Sequence, residues 1–189
     1  MTSRSLIIAL VILLSACMHS PRKHYFALSA ALPVTTTELQ AVSVQQVVGI
    51  GPVKIPEYLQ HSRIAYWKTA QQLSSPDNGF WAEPLEQGIT RVLALNLQAA
   101  QPQWRVMQFP WSQKRQPTLM VRVDIQRLDA FKNYALLEAT LDVVNTTTQT
   151  TRSKVIRTQI ASSADSASIA AAFSQLLQQA STAIAAEIL

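Results

Sequence analysis

The sequence has few of the residues from which enzymes usually build a reactive centre. Its 189 residues include one cysteine and three histidines, and charged residues make up only 14% of the chain. It contains no Gly-x-Ser-x-Gly nucleophile motif, no His-Glu-x-x-His metal motif and no glycine-rich phosphate loop ending in Lys-Ser. The sequence therefore lacks the motifs by which serine hydrolases, zinc proteases and P-loop nucleotide-binding proteins are usually recognised.

The remaining candidates for chemistry lack suitable partners. His19 and His24 precede the predicted body and His61 lies in a predicted loop, so their spacing suggests no shared metal or catalytic role. Asp124 and Asp129 are five residues apart along a predicted strand, which places them on opposite faces. We therefore predict no catalytic residue, no metal site and no cofactor, and expect that the protein is not an enzyme.

The net charge is modest and gives no sign of nucleic-acid binding. Of the 16 basic residues, only Arg4 lies in residues 1–16, so the rest of the chain has 15 basic and 11 acidic residues and a net charge of +4. The basic residues are scattered along the chain, which is typical of a solvated surface.

The N-terminus has the organisation of a secretory signal. Arg4 precedes an apolar run from Leu6 to Leu14, which is followed by small residues and is too short to span a bilayer. Leu14-Ser15-Ala16-Cys17 resembles the lipobox of bacterial lipoproteins, in which the cysteine is acylated and becomes the first mature residue. We predict a signal peptide at residues 1–16 and lipid attachment at Cys17. The alternative is a plain signal peptide in which Cys17 is incidental.

Acylation of Cys17 would leave no free thiol, so disulfides and metal thiolates would both be excluded. Residues 17–41 are predicted to be a lipidated N-terminus and flexible tether, in which Tyr25 to Leu28 could form a short edge strand. Residues 42–189 are predicted to form a single domain.

A Gly-x-Gly pair interrupts the first predicted strand of this domain, Val44 to Val53. Gly49-Ile50-Gly51-Pro52 has no third glycine, and Pro52 blocks an immediate helix start, so a phosphate-binding loop is disfavoured. The pattern favours a strand with a bend or a close approach of another backbone.

Periodicity predicts the fold class. Apolar residues at helical spacing predict one helix from about Leu85 to Leu97 and another from Asp165 or Ser166 to Ile188. Alternating patterns from Thr118 to Ile160 predict three strands that form an antiparallel meander with one wet face. We expect an α+β fold, a two-layer sandwich whose mostly antiparallel sheet carries two amphipathic helices on one face.

The aromatic residues offer candidates for contact with a partner. Trp81 and Trp104 bracket the first helix and are predicted to be core residues. Trp111 follows Pro110 in a loop, where it could pack locally or serve as an interface anchor, since aromatic residues dominate binding hot spots. Tyr58, in a proline-bracketed turn, is a second candidate for a partner interface.

Several segments together resemble one family over nearly the whole chain. They are Gly49 to Leu59 (GIGPVKIPEYL), Trp81-Ala82-Glu83-Pro84-Leu85 and Phe109-Pro110-Trp111, together with the lipobox. The chain is similar in these segments to the PqiC/YmbA family of ABC-type transport auxiliary lipoproteins.

The resemblance implies a lipoprotein on the periplasmic face of the Gram-negative outer membrane, held by acyl chains on Cys17. It implies a non-catalytic docking role in lipid transport with an MCE-domain protein and an inner-membrane component. It also implies homo-oligomers, with a ring as one arrangement. Met18 follows the cysteine in place of the aspartate associated with inner-membrane retention, which fits the outer membrane. The alternatives are a tethered periplasmic hydrolase or lipid-modifying enzyme, and a lipid carrier with an internal cavity.

Overall fold

The computed structural model describes residues 22–31, 44–112 and 114–189. The predicted signal peptide, the predicted lipid attachment at Cys17 and most of the predicted tether lie outside these residues. None of the described helices is long and apolar enough to cross a membrane.

The described residues form nine strands, two α-helices and one short 3-10 helix at Glu57–Leu59. The strands are β1 (His24–Phe26), β2 (Gln46–Lys54), β3 (Tyr66–Thr69), β4 (Gln72–Ser74), β5 (Gly79–Trp81), β6 (Trp104–Gln108), β7 (Leu119–Ala130), β8 (Tyr134–Asn145) and β9 (Thr150–Ala161). The helices are α1 (Leu85–Ala100) and α2 (Ser166–Ile188).

Five strands make the main sheet, in the order β6-β2-β7-β8-β9. The last three form the predicted antiparallel meander, and each of them is 12 residues long. β2 lies between β6 and β7 and is parallel to both. Because β6 and β7 lie on either side of β2 and run in the same direction, the connection between them must cross β2.

The sheet has one dry face and one wet face, as the alternating pattern predicts. In β7 the residues that point toward the helices are buried, namely Leu119, Val121, Val123 and Ile125. Arg122, Asp124 and Gln126 point to the opposite side, which we call the outer face. Each large apolar side chain that the dry face buries contributes roughly 1.5–3 kcal/mol to folding.

Both helices cover the dry face. α1 lies over β2 and β6, α2 lies over β8 and β9, and the two helices pack against each other. The predicted stripes are the buried sides of the helices, formed by Leu85, Ile89, Val92, Leu93 and Leu97 of α1 and Ile169, Phe173, Leu176, Leu177, Ala180 and Ile184 of α2. The α+β class and the placement of the helices are therefore confirmed.

The N-terminal caps of the helices follow the sequence signals. The Asp165 side chain accepts a hydrogen bond of 2.9 Å from the backbone N–H of Ser168, which ends the extended approach to α2. This hydrogen bond lowers the pKa of Asp165, because it stabilises the charged carboxylate. α1 begins directly after Pro84, whose fixed φ suits the start of a helix.

The body of the protein begins earlier than the predicted Val42. β1 pairs in parallel with β5, and Leu28 is only 3% exposed within the hydrophobic core. The backbone N–H of Ser29 donates to Ser174 Oγ of α2 at 3.0 Å, and that of Ala31 donates to Asn96 Oδ1 of α1 at 2.9 Å. Part of the segment predicted as a tether is thus a packed element of the domain.

A β-bulge in β7 changes the face of the sheet on which Asp129 lies. Ile125 pairs with Ala139 and Arg127 pairs with Glu138, so Gln126 is an extra residue and alternation reverses beyond it. Asp124 and Asp129 therefore share the outer face. The prediction of opposite faces was wrong because strict alternation takes no account of an inserted residue.

Candidate partner-binding surface

The outer face of the sheet is covered at β2 by the connection from β6 to β7. The backbone N–H of Phe109 donates to the Ile50 carbonyl at 2.9 Å, and that of Thr118 donates to the Val47 carbonyl at 3.0 Å. Because β6 and β7 flank β2, the chain between these two hydrogen bonds must cross over β2. The crossing lies on the side of the sheet away from the helices.

Two glycines of β2 make room for this crossing. A Cβ atom at Gly49 would lie 2.5 Å from Pro117 Cγ and 2.8 Å from Trp111 Cζ3. A Cβ atom at Gly51 would lie 2.6 Å from the Cβ of Phe109, and its φ of +118° is one that only glycine adopts easily. The Gly-x-Gly pair predicts a bend or a close approach of another backbone. In the structure the close approach is made by side chains of the crossing loop.

The crossing presents an aromatic ridge, formed by Phe109, Pro110 and Trp111. The two rings meet edge to face, with centroids 5.2 Å apart and planes at 85°. Phe109 is 48% exposed, Pro110 is exposed and Trp111 is half-buried against β2. The ridge therefore combines rings held in place from below with apolar surface open to solvent, as in an interface anchor.

Two hollows of different chemistry are lined in part by the crossing loop. One has a volume of about 400 Å³ and lies between the ridge and the first turns of α1, where Glu86, Gln87 and Thr90 line it. The other has a volume of about 330 Å³, and its charged lining residues are Arg105 and Arg115. No carboxylate of the described residues forms an ion pair with either arginine. The second hollow is therefore positively charged.

Tyr58, the other candidate from the sequence, packs near the C-terminal end of β7. It lies in the short 3-10 helix, and its hydroxyl donates to Asp129 Oδ1 at 2.7 Å. Asp129 is 3% exposed and also accepts a hydrogen bond of 2.8 Å from Arg127 Nε. The Tyr58 ring packs edge to face on Trp67, with centroids 5.6 Å apart. Burial raises the pKa of Tyr58, and the hydrogen bond to Asp129 adds to the rise.

The structure does not bring the two candidate interface residues together. Trp111 lies over Gly49, which pairs with Met120 near the start of β7, whereas Tyr58 contacts Asp129 near its end. The two ends are separated by roughly 25–30 Å at about 3.3 Å per residue. Trp81 and Trp104 are buried as predicted.

The described part of the chain has no cluster of metal-binding side chains and only a small cavity beside the buried carboxylate. These residues contain no group of three or more His, Cys, Asp or Glu side chains that could hold a metal. The cavity beside Tyr58 and Asp129 has a volume of only about 20 Å³. This is room for about one water molecule, and a lipid or another substrate would not fit.

Patterns within single segments do not reveal several residues that shape these surfaces. In the sequence Asp129 is a lone carboxylate of a strand, whereas in the structure it accepts hydrogen bonds from Tyr58 and Arg127. Arg105 and Arg115 belong to the scattered basic residues of the sequence, but in the structure both line one hollow. The one nearby signal is the Gly-x-Gly pair, which indicates a close approach but not which residues make it.

Gly49 lies directly beneath Trp111 of the ridge, so a side chain at this position should destabilise the protein. Gly49→Ala should lower the free energy of unfolding by about 1–3 kcal/mol, because the new methyl group must displace Pro117 and Trp111. Chemical denaturation measures the loss. The matched control is Gly88→Ala in α1, where a Cβ would meet Glu83 Oε1 at 3.1 Å and Leu28 Cδ1 at 3.4 Å, both ends of side chains. Equal effects of the two substitutions would contradict the account.

The second prediction concerns Tyr58. Tyr58→Phe should lower the free energy of unfolding by about 1–3 kcal/mol, because buried Asp129 loses one of its two hydrogen-bond donors. Tyr66→Phe is the control, since the Tyr66 hydroxyl makes no hydrogen bond to the residues described.

The pH dependence of stability provides a second readout for Tyr58. Its pKa is raised above the ordinary value near 10, so its contribution is complete below pH 10 and is lost as the pH rises further. Wild-type protein should therefore lose more stability between pH 9 and 11.5 than Tyr58→Phe does. Identical alkaline profiles would show that the hydroxyl is not buried against Asp129.

Comparison with known proteins identifies the relatives of this fold. A crystal structure of an uncharacterized protein is similar with a TM-score of 0.72 and 18% identity, covering 89% of this chain and 100% of that one. Protein XCC0632 from Xanthomonas campestris, a member of family DUF330, is similar with a TM-score of 0.65 and 18% identity, covering 85% of this chain and 91% of that one. At these identities the similarity shows the fold alone.

None of the curated proteins matches the chain. The family model of the ABC-type transport auxiliary lipoprotein component matches residues 26–185, which run from the last residue of β1 through the Gly-x-Gly strand and the aromatic ridge to nearly the end of α2. The match confirms the resemblance found in the sequence segments. The chain therefore belongs to the family of ABC-type transport auxiliary lipoprotein components.

Proposed function

We propose that this protein is a non-catalytic docking component of an MCE-type intermembrane lipid-transport system, anchored by acyl chains on Cys17 to the periplasmic face of the outer membrane of a Gram-negative bacterium. Family membership supports an auxiliary role in transport and a membrane-anchored place in the cell envelope. The partners in this proposal are an MCE-domain protein and an inner-membrane component of the same system.

The single observation that carries the docking role is the exposed aromatic ridge. Exposed rings on a surface loop are costly to solvate, and here two glycines of β2 are committed to holding them in place. A ring that is already fixed loses little conformational entropy when a partner covers it. The ridge is therefore suited to serve as the centre of a protein interface, and we assign it to the MCE-domain protein.

The proposal includes self-association, for which the last strand offers an edge. β9 lies at one side of the main sheet, and its first half is exposed, including Val155 at 68%. A long edge strand can pair with another chain. Homo-oligomers, with a ring as one arrangement, would repeat the ridge at regular intervals around a central axis.

A tethered hydrolase or lipid-modifying enzyme is the alternative. It would need a substrate-sized cavity beside the buried carboxylate, and the cavity next to Asp129 holds about one water molecule. No further observation favours this alternative, and none favours an internal lipid cavity.

The third prediction tests docking through the ridge. Phe109→Ala combined with Trp111→Ala in the full chain should weaken binding to the MCE-domain protein at least about 30-fold, the usual minimum effect of losing a hot spot. Affinity is measured by pull-down and titration, with folding checked by circular dichroism. Leu95→Ala is the matched control, because Leu95 is an apolar residue of similar exposure (46% against 48% for Phe109) on another surface.

Unchanged affinity of a folded double variant would contradict docking through the ridge. The anchor is tested separately in cells. Cys17→Ser should release the chain into the soluble periplasmic fraction once the membranes are washed with 0.5 M salt, which screens contacts between surface charges and headgroups. Continued fractionation of that variant with outer membranes after the salt wash would contradict attachment at Cys17.

A further inference from the structure

A second surface, far along the chain from the ridge, combines aromatic rings with positive charge. β1 and β5 form a two-stranded sheet in which Tyr25 pairs with Phe80. Arg63 forms an isolated antiparallel β-bridge with Phe80 on the other side of β5. These three side chains therefore stand in one row on one face. The Tyr25 and Phe80 ring centroids are 6.0 Å apart, and Tyr25 is 65% exposed.

Cations lie over the Phe80 ring. Lys23 Nζ is 5.3 Å from the ring centroid and Arg63 Cζ is 5.0 Å from it. Both distances are within the range of cation–π attraction. Arg22 is also exposed, next to Lys23 in the chain. We call Arg22, Lys23, Tyr25, Arg63 and Phe80 the Phe80 patch.

The charge of the Phe80 patch is not neutralised within the described residues. None of their carboxylates forms an ion pair with Arg22, Lys23 or Arg63. Two acidic residues lie close to β5 in the chain. Asp77 is turned to the opposite side, where its carboxylate accepts a hydrogen bond from Ser166 of α2, and Glu83 forms an ion pair with Arg91. That opposite side is packed, with Trp81 stacked on Phe173. The patch is thus a cationic and aromatic face with its own rigid support.

This combination matches the chemistry of an anionic membrane surface. Lysine and arginine near such a surface are attracted to phosphate headgroups, and each contributes about fivefold to binding. Tyrosine rings favour the level of the headgroups because one end is polar and the other apolar. A protein partner would also need acidic groups, but an exposed tyrosine between free cations fits headgroups more directly.

Position along the chain also favours the membrane. Arg22 is five residues after Cys17. Because each residue spans at most about 3.6 Å, Arg22 lies within roughly 18 Å of the acylated cysteine in any conformation of the chain between them. This step rests on the proposed attachment at Cys17.

We propose that the Phe80 patch binds the headgroups of anionic phospholipids in the leaflet that holds the anchor. The body then has a fixed orientation on the membrane, in addition to being tethered to it. Acyl chains alone would allow the body to rotate, whereas a second contact through β1 and β5 fixes which surfaces face away from the membrane.

The test uses the full mature chain, reconstituted in vesicles of phosphatidylcholine alone or with 30% phosphatidylglycerol. Hydrogen exchange of the peptides covering residues 22–27 and 61–65 reports docking. We expect exchange in both peptides to slow severalfold when phosphatidylglycerol is present, and the effect to disappear at 0.5 M salt because the charges are screened.

Charge reversal assigns the effect to the patch. Lys23→Glu with Arg63→Glu should lower docking at least about 25-fold, from about fivefold for each cation removed, and so abolish the slowing. Arg105→Glu with Arg115→Glu is the matched control and should leave it intact. If the reversed variant folds poorly, Lys23→Gln with Arg63→Gln should show the same loss. Slowing that survives in the patch variants, or that is absent in wild type, overturns the proposal.

Failure of the anchor is recognised separately. Mass spectrometry shows whether Cys17 carries acyl chains, and flotation with phosphatidylcholine vesicles shows whether they hold the protein. If Cys17 is bare, the proposed attachment fails, but the patch is still tested by flotation. An unacylated chain that floats with phosphatidylglycerol vesicles only, and loses this in Lys23→Glu with Arg63→Glu, supports the patch. An unacylated chain that floats with neither kind of vesicle overturns the proposal that the Phe80 patch binds anionic headgroups.

Discussion

The contact between two glycines of β2 and the loop that crosses them determines what this protein presents to its surroundings. Without side chains at Gly49 and Gly51, the outer face of β2 is flat enough for Phe109, Trp111 and Pro117 to lie directly on the backbone. The crossing joins β6 to β7 on either side of β2, so the same contact completes the parallel half of the sheet. A side chain at either glycine would separate the loop from the sheet and disturb the ridge and the strand order together.

The rest of the fold supports the surfaces that face solvent. α1 and α2 cover one face of the sheet, and their contacts with the apolar residues of β2, β6, β8 and β9 supply the stability that exposed loops cannot provide. The other face is left for contacts, with the aromatic ridge toward the start of β7 and the Tyr58–Asp129 contact at its end. The Phe80 patch lies on a separate two-stranded sheet, attached to α2 through Trp81 and Phe173. The described residues thus carry distinct surfaces, as the proposed docking role requires.

The features that sequence reasoning predicted correctly are those governed by local periodicity. The stripe of α1, the meander of β7 to β9 and the burial of Trp81 and Trp104 all follow from spacing within one segment. The pairing of β2 with β6 and β7 depends on contacts between distant segments, which no period encodes. The bulge at Gln126 is one inserted residue, so alternation fails there without any compositional signal. β1 has three residues, too few to distinguish a packed strand from a tether.

The most direct test of the account is to observe Trp111 while the partner binds. With 5-fluorotryptophan at the four tryptophans of the chain, Trp111→Phe assigns one fluorine resonance, and the MCE-domain protein is then titrated in. We predict one narrow Trp111 resonance in the free protein, since the ring is fixed on Gly49, and a large shift of that resonance on binding while the buried Trp104 signal stays in place. Binding that leaves the Trp111 resonance unmoved would contradict the claim that the ridge is the docking surface.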